Sequence, residues 1–229
     1  IRKYVLGDDH ERPASDDEVQ IMADLVAADM DAGALGLATG LEYVPGIYST
    51  TEEVIALARV AAKYGGRYFS HVRDEDDRMI EAIDELLRIG LEAELPVHVS
   101  HIKLADRDFW GTADALLGKL SAARTDGIAV TADIYPYQRW ASNLAVLFPE
   151  RDFHDRSVAD FTFAHTAAPE DIVFSHFGPN PEYVGLSIAD VARITERSPE
   201  DTLLELAQAA DAFGRESGER GAGIIAKGM

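Results

Sequence analysis

Two short runs in this sequence have the residue types and the placement for metal chemistry: Phe69-Ser70-His71-Val72-Arg73 and Val99-Ser100-His101-Ile102-Lys103. Each ends an apolar, strand-like segment on a His, and the two His are 30 residues apart. Neutral imidazole binds zinc at about 2.0–2.1 Å, so two such rings at the carboxyl ends of neighbouring parallel strands can converge on one cation. A lone strand-end His is more often structural, but the repetition of the whole motif favours a metal pair. Alternation along the strand puts His101 with Val99 and Val97 on one face and sends His98 to the other, where the expectation is a packed or hydrogen-bonded ring beneath a helix. Phe174-Ser175-His176-Phe177 repeats the Ser-His pair outside this rhythm, and His10, His154 and His165 have no supporting context.

Other residues fall near the same rim. Lys103 follows the second His, and Asp133-Ile134-Tyr135-Pro136-Tyr137 ends a later strand, with Asp133 and Tyr135 on one face and Pro136 holding Tyr135 extended. An ammonium and a phenol hydroxyl together suit a substrate carboxylate. Tyr135 fits equally a core aromatic whose hydroxyl is satisfied locally. The acidic run Arg73-Asp74-Glu75-Asp76-Asp77 reads as a solvated loop and helix start, where acids favour the helix dipole.

The elements that must position these residues recur. Ser15 and Glu18 form a capping box for a helix over about 16–32, and Thr50 with Glu53 forms a second for a helix closed by Gly65-Gly66. Residues 34–40 read as a buried strand. Further helices are expected over 77–92 and 112–124, and strands at 67–71, 97–101 and 128–133. The strand-end residues Ala38, Ser70, Ser100 and Ala132 are spaced by 32, 30 and 32 residues, which argues for βα units on a parallel sheet. No G-x-G-x-x-G follows a strand, so the arc of a (β/α)8 barrel is favoured over an open doubly wound sheet. Beyond Tyr137 the rhythm fails: an insertion or lid is expected over about 138–185, with a strand near 172–175, and a helical segment over about 186–229. The expected organisation is α/β, a partial (β/α)8 barrel with four βα units over about 16–137 and an insertion after the fourth strand.

Composition narrows the partners. The 229 residues are 47% hydrophobic and 27% charged, the balance of a packed globular chain. With 21 Lys and Arg against 41 Asp and Glu, the net charge of −20 repels phosphate backbones and anionic lipid. Neither nucleic acid nor membrane is therefore an expected partner, and with no visible targeting segment a cytoplasmic location is expected. There is no Cys, so any metal must be held by His, carboxylate or modified Lys.

The run Gly33-Ala34-Leu35-Gly36-Leu37-Ala38-Thr39-Gly40-Leu41-Glu42-Tyr43, then Ser70-His71-Val72-Arg73-Asp74-Glu75, Ser100-His101-Ile102-Lys103, Phe109-Trp110-Gly111 and Asp133-Ile134-Tyr135-Pro136-Tyr137, resembles the N-acyl-D-amino-acid deacylase (D-aminoacylase) family of the amidohydrolase superfamily. The resemblance covers most of the chain, in the family's order. It implies a zinc-dependent barrel that hydrolyses the amide of small N-acyl-D-amino acids, with His71 and His101 as zinc ligands and Lys103 and Tyr135 as contacts to the substrate carboxylate. It also implies parts that this sequence lacks: a His-x-His pair, a Cys ligand, and a catalytic Asp in a Ser-Asp-Gly motif that the family places beyond the position of Met229. No catalytic residue is thus expected within the chain, which matches the middle of a longer deacylase and is expected to be inactive alone. The strand at 35–39 carries no Lys for the carboxylated bridge of hydantoinase-like relatives. Cyclic-amide hydrolysis, a metal-free barrel isomerase or lyase, and a non-catalytic barrel module stay open as alternatives, as does the oligomeric state.

Overall fold

The structure, a computed structural model, describes residues 1–228. It divides into two compact units: residues 1–104 with 111–135, and residues 105–110 with those from 136 onward.

The first unit contains the repeated elements. Helices α1 (Arg2–Leu6) and α2 (Asp16–Asp31) precede strand β1 (Gly36–Gly40); α3 (Thr51–Lys63), β2 (Arg67–His71), α4 (Met79–Ala93), β3 (Val97–Val99), α5 (Ala113–Thr125) and β4 (Val130–Ala132) follow in alternation. The strands form one sheet in the order β1-β2-β3-β4, every pairing parallel. Local chemistry accounts for the boundaries. Ser15 and Glu18 make the reciprocal capping box at the start of α2, and Gly33 and Gly65, both at positive φ, turn the chain after α2 and α3.

The expected second box is only half made. Thr50 Oγ1 accepts the Glu53 amide, but the Glu53 carboxylate is drawn away to the buried Arg2 guanidinium (2.9 Å) and to the Ala14 amide (3.3 Å). Pairing a buried cation outweighs returning to the local cap, because an uncompensated buried charge is the costlier defect.

The sheet has two unlike faces. Leu37, Tyr68, Val97 and Val130 are in register on one side and all are buried. On this side Val97 lies directly against Gly90 of α4, where an added Cβ would come within 2.7 Å of a Val97 methyl. Phe69, His98 and Thr131 are in register on the opposite side. His98 is therefore hydrogen-bonded as expected, but not beneath a helix. The strand alternation fails because β3 stops at Val99 and the chain turns before His101. The stretch before β1 is also less enclosed than expected, with Leu35 83% exposed.

The second unit holds a three-stranded antiparallel sheet in the order β5-β7-β6, made of β5 (Arg139–Asn143), β6 (Ile172–Phe177) and β7 (Ala222–Lys227), with helices α6 (Arg156–Phe161), α7 (Ile188–Thr195) and α8 (Pro199–Ser217). Residues 222–227, grouped by sequence with a helical segment, form its central strand, and Ile224 and Ala226 are fully buried there. Among the described residues no helix is long and apolar enough to cross a membrane.

One fold-level test follows from the close approach of β1 and β2. A Cβ on Gly36 would sit 1.9 Å from the Arg67 carbonyl oxygen. Gly36→Ala must therefore open the β1–β2 pairing, and a loss of about 1–3 kcal/mol or more is expected in urea denaturation. A wild-type midpoint would show that this edge of the sheet is not held as described.

Candidate metal centre

His71 closes β2, buried to 8% exposure, and its ring is held from several sides. Nε2 donates to Glu42 Oε2 at 2.5 Å, which assigns the proton to Nε2 and leaves the Nδ1 lone pair facing His101. The Tyr43 ring packs against it at 4.6 Å between centroids. Behind the strand, Ser70 Oγ donates to the His71 carbonyl (2.9 Å) and shares a hydroxyl cluster with Thr39 and Tyr68. Burial pushes the Tyr68 hydroxyl up to about 12, so it stays protonated.

His101 lies two residues beyond β3 at a φ of 41°, outside the ordinary range for a non-glycine residue. That turn brings its Nε2 to 3.0 Å from His71 Nδ1. Two ligand nitrogens of a tetrahedral zinc stand about 3.3 Å apart, so little movement separates this pair from a shared cation.

Glu75 completes the cluster. It was expected in a solvated loop, but it is only 7% exposed. The loop turns back because Arg73 makes a two-pronged ion pair with Glu85 of α4 (both 2.8 Å) and Asp74 Oδ1 accepts the Asp76 and Arg78 amides. Glu75 Oε2 then pairs with Lys103 Nζ at 2.5 Å, both side chains being 9% exposed. Oε1 lies 3.2 Å from His101 Nδ1 and 3.8 Å from His71 Nδ1, yet makes no aligned hydrogen bond. Burial alone would raise the Glu75 carboxyl, but His101, Lys103 and His71 outweigh it and the net shift is downward.

The donor set fits a cation. Glu42 takes the outer proton of His71, and the orphaned Oε1 of Glu75 is placed to take a proton on His101 Nδ1, an alternative to the Lys103 contact at 2.9 Å. With both outer protons so held, His71 Nδ1 and His101 Nε2 present two lone pairs to one point, the carboxylate–histidine–metal pattern. His71, Glu75 and His101 are the residues of this unit whose ligand atoms cluster closely enough to hold a metal ion.

Lys103 and Tyr135 are also brought together, Nζ lying 5.8 Å from the Tyr135 ring centroid. Tyr135 is raised to about 12, first by burial and then by the charge of Glu75, so its hydroxyl remains a donor at neutral pH. Asp133 accepts from the His101 amide and from His98 Nε2. The remaining His residues lie outside this cluster: His176 contacts the Arg220 carbonyl, His165 contacts Asp108, and His10 contacts the Gly7 carbonyl. Sequence reasoning missed Glu42 and Glu75. The only available signal was that Glu75 lies four residues after a candidate ligand, which by itself does not separate a returning loop from a solvated one.

No protein-family model matches the sequence. An N-acyl-D-glutamate deacylase of Alcaligenes xylosoxydans xylosoxydans is 33% identical over 192 residues, 84% of this chain and 36% of that protein. A D-aminoacylase of the same organism is 39% identical over 131 residues, 56% of this chain and 26% of its own length. The solved N-acyl-D-glutamate deacylase of Bordetella bronchiseptica, complexed with zinc and a phosphonate mimic of the tetrahedral intermediate, matches with a TM-score of 0.78 and 30% identity over 97% of this chain and 40% of its own. The chain is a homologue of the N-acyl-D-amino-acid deacylases. It spans between about a quarter and two-fifths of the length of these deacylases. The parallel four-stranded sheet accordingly fits a partial (β/α)8 barrel, the fold class expected from the βα spacing.

The Glu75–Lys103 pair gives a direct test of this deacylase homologue's electrostatics. Glu75→Gln preserves volume but leaves a buried ammonium uncompensated, with an expected cost of about 3–5 kcal/mol. Adding Lys103→Met should recover most of that loss in chemical denaturation. A cost below about 1 kcal/mol for the single variant would mean that the pair is solvated.

Proposed function

We propose that this chain supplies the metal-binding and carboxylate-binding part of an enzyme that hydrolyses N-acyl-D-amino acids to a carboxylate and a free D-amino acid. The observation that carries this reading is the convergence of His71 and His101, at 3.0 Å, beside Lys103, whose side chain is 9% exposed, and the half-buried Tyr135. In this reading His71 and His101 hold zinc. Zinc there would supply Lewis-acid polarisation of the amide carbonyl and an activated water.

The work of the chain's own residues is binding and orientation. Glu42 fixes the His71 tautomer, and burial of the ring excludes competing water. The Lys103 ammonium meets the substrate's α-carboxylate, and the Tyr135 hydroxyl, protonated across the neutral range, donates to the same group. A local cation is required because the chain carries a net charge of −20, which disfavours an anionic substrate at long range. Glu75 already pairs with the ammonium, so in this reading the incoming carboxylate shares Lys103 rather than replacing its partner. Proton transfer to the leaving amine is assigned to no residue of this chain.

In the enzyme carrying this chain, His71→Ala and His101→Ala are each expected to release zinc on metal analysis. Hydrolysis of an N-acetyl-D-amino acid should fall by more than the roughly 10–100-fold typical of an outer-shell change. Tyr135→Phe should instead keep the metal and raise KM about 10–100-fold, the worth of one hydrogen bond to a charged group. Full zinc content and turnover in either His variant would overturn the assignment.

A further inference from the structure

The turn that carries His101 toward His71 is held by a carboxylate that the proposed reaction does not use. His101 stands at a φ of 41°, a conformation that a non-glycine residue keeps only when its surroundings enforce it. Asp133, just past the end of β4, enforces it from three directions. Its Oδ1 accepts the His101 backbone amide at 2.5 Å. Its own carbonyl accepts the Ile102 amide at 2.9 Å, and its amide donates to the Val99 carbonyl at 3.1 Å. The residues on both sides of the His101 Cα are thereby tied to one neighbour on the next strand.

The carboxylate is itself braced. Asp133 Oδ2 accepts from His98 Nε2 at 2.8 Å, and His98 Nδ1 lies 2.8 Å from Thr131 Oγ1, one strand over and two residues before Asp133. The Phe69 ring packs on His98 at 5.4 Å between centroids. His98 therefore locks the χ angles of an aspartate whose side chain is otherwise 61% exposed. Strand alternation explains why His98 can do so: Phe69, His98 and Thr131 share the face away from α4.

We propose that Asp133, braced by His98, is the positioning residue of the metal centre: it clamps the backbone of the His101 turn and so places that ring against His71. This rests on the reading of His71 and His101 as metal ligands. Asp133 touches neither metal nor substrate in this role. It sets the geometry of one ligand, and an outer partner of this kind is typically worth about 10–100-fold in metal affinity.

The test is a cobalt(II) titration of the protein followed by visible absorption, together with nitrogen–proton correlation spectra of the histidine rings in the metal-free protein. Asp133→Ala is expected to weaken cobalt binding about 10–100-fold, to alter the visible band, and to remove the His71–His101 ring contact. Asp133→Asn, whose Oδ1 still accepts the His101 amide, is expected to recover most of the affinity, a rescue that a purely space-filling role would not produce. Should Asp133→Ala fold poorly, His98→Gln loosens the brace alone and is expected to move affinity the same way by a smaller factor. Wild-type affinity and band in the folded variants overturn the proposal. If His71→Ala and His101→Ala both retain the metal, the ligand reading fails instead. The ring spectra of metal-free Asp133→Ala or His98→Gln then decide alone: an unchanged His71–His101 contact overturns the clamp, and its loss upholds it.

Discussion

The buried ion pair between Glu75 and Lys103 is the constraint on which the rest of the centre depends. Taking both groups out of water is expensive, and at 2.5 Å their mutual attraction and hydrogen bond offset that cost only while the geometry holds. The loop carrying Glu75 is therefore fixed with unusual care for a loop. Arg73 is pinned to α4 through Glu85 and to the chain after β1 through the Ile47 carbonyl, and Asp74 closes the turn on itself. Those contacts bring the second oxygen of Glu75 against the two imidazoles, so one carboxylate serves both the ammonium and the His pair. Replacing any of the three partners changes the electrostatics felt by the other two.

Much of the first unit was legible because its signals are local. Ser15 with Glu18 marks the start of α2, glycines mark the ends of α2 and α3, and Ile83, Leu86 and Leu87 mark the buried face of α4. Spacing near 30 residues then gave the parallel sheet. What failed was reasoning that assumed a rule extends past its element. Alternation holds within β3, but His101 lies outside that strand, so counting from Val99 assigned His98 to the wrong face. Glu75 was illegible for a related reason: a loop has no period, and the ion pair that buries it spans 28 residues. Even Glu53 followed a distant partner rather than its local one.

The second unit was poorly legible because its sheet is entirely non-local. Arg139 pairs with Lys227 and Ile172 with Ala226, so no window of sequence contains both sides of any pairing. The central strand β7 has an apolar run typical of a strand covered on both faces, and such a run is indistinguishable from a short buried helix by periodicity alone.

The two imidazoles differ in how they are held, and that asymmetry organises the centre. His71 belongs to a regular strand: its backbone is paired to β1, its carbonyl takes the Ser70 hydroxyl, and its ring is gripped by Glu42 and Tyr43. His101 is off its strand, its side chain 34% exposed, on a backbone conformation that costs energy in isolation. A rigid ring facing an adjustable one would reconcile two demands on the proposed metal site. In the proposed metal site the fixed ring would define where a cation sits, and the turn-borne ring would need to shift only the few tenths of an ångström that separate a 3.0 Å hydrogen-bonded pair from two nitrogens sharing a metal. That freedom is useful only if bounded, and the bound comes from the neighbouring strand rather than from β3 itself. The geometry of the centre is therefore a property of the sheet's cross-strand ties, which explains why the motif around each His marked the two rings but not the residues packed around them.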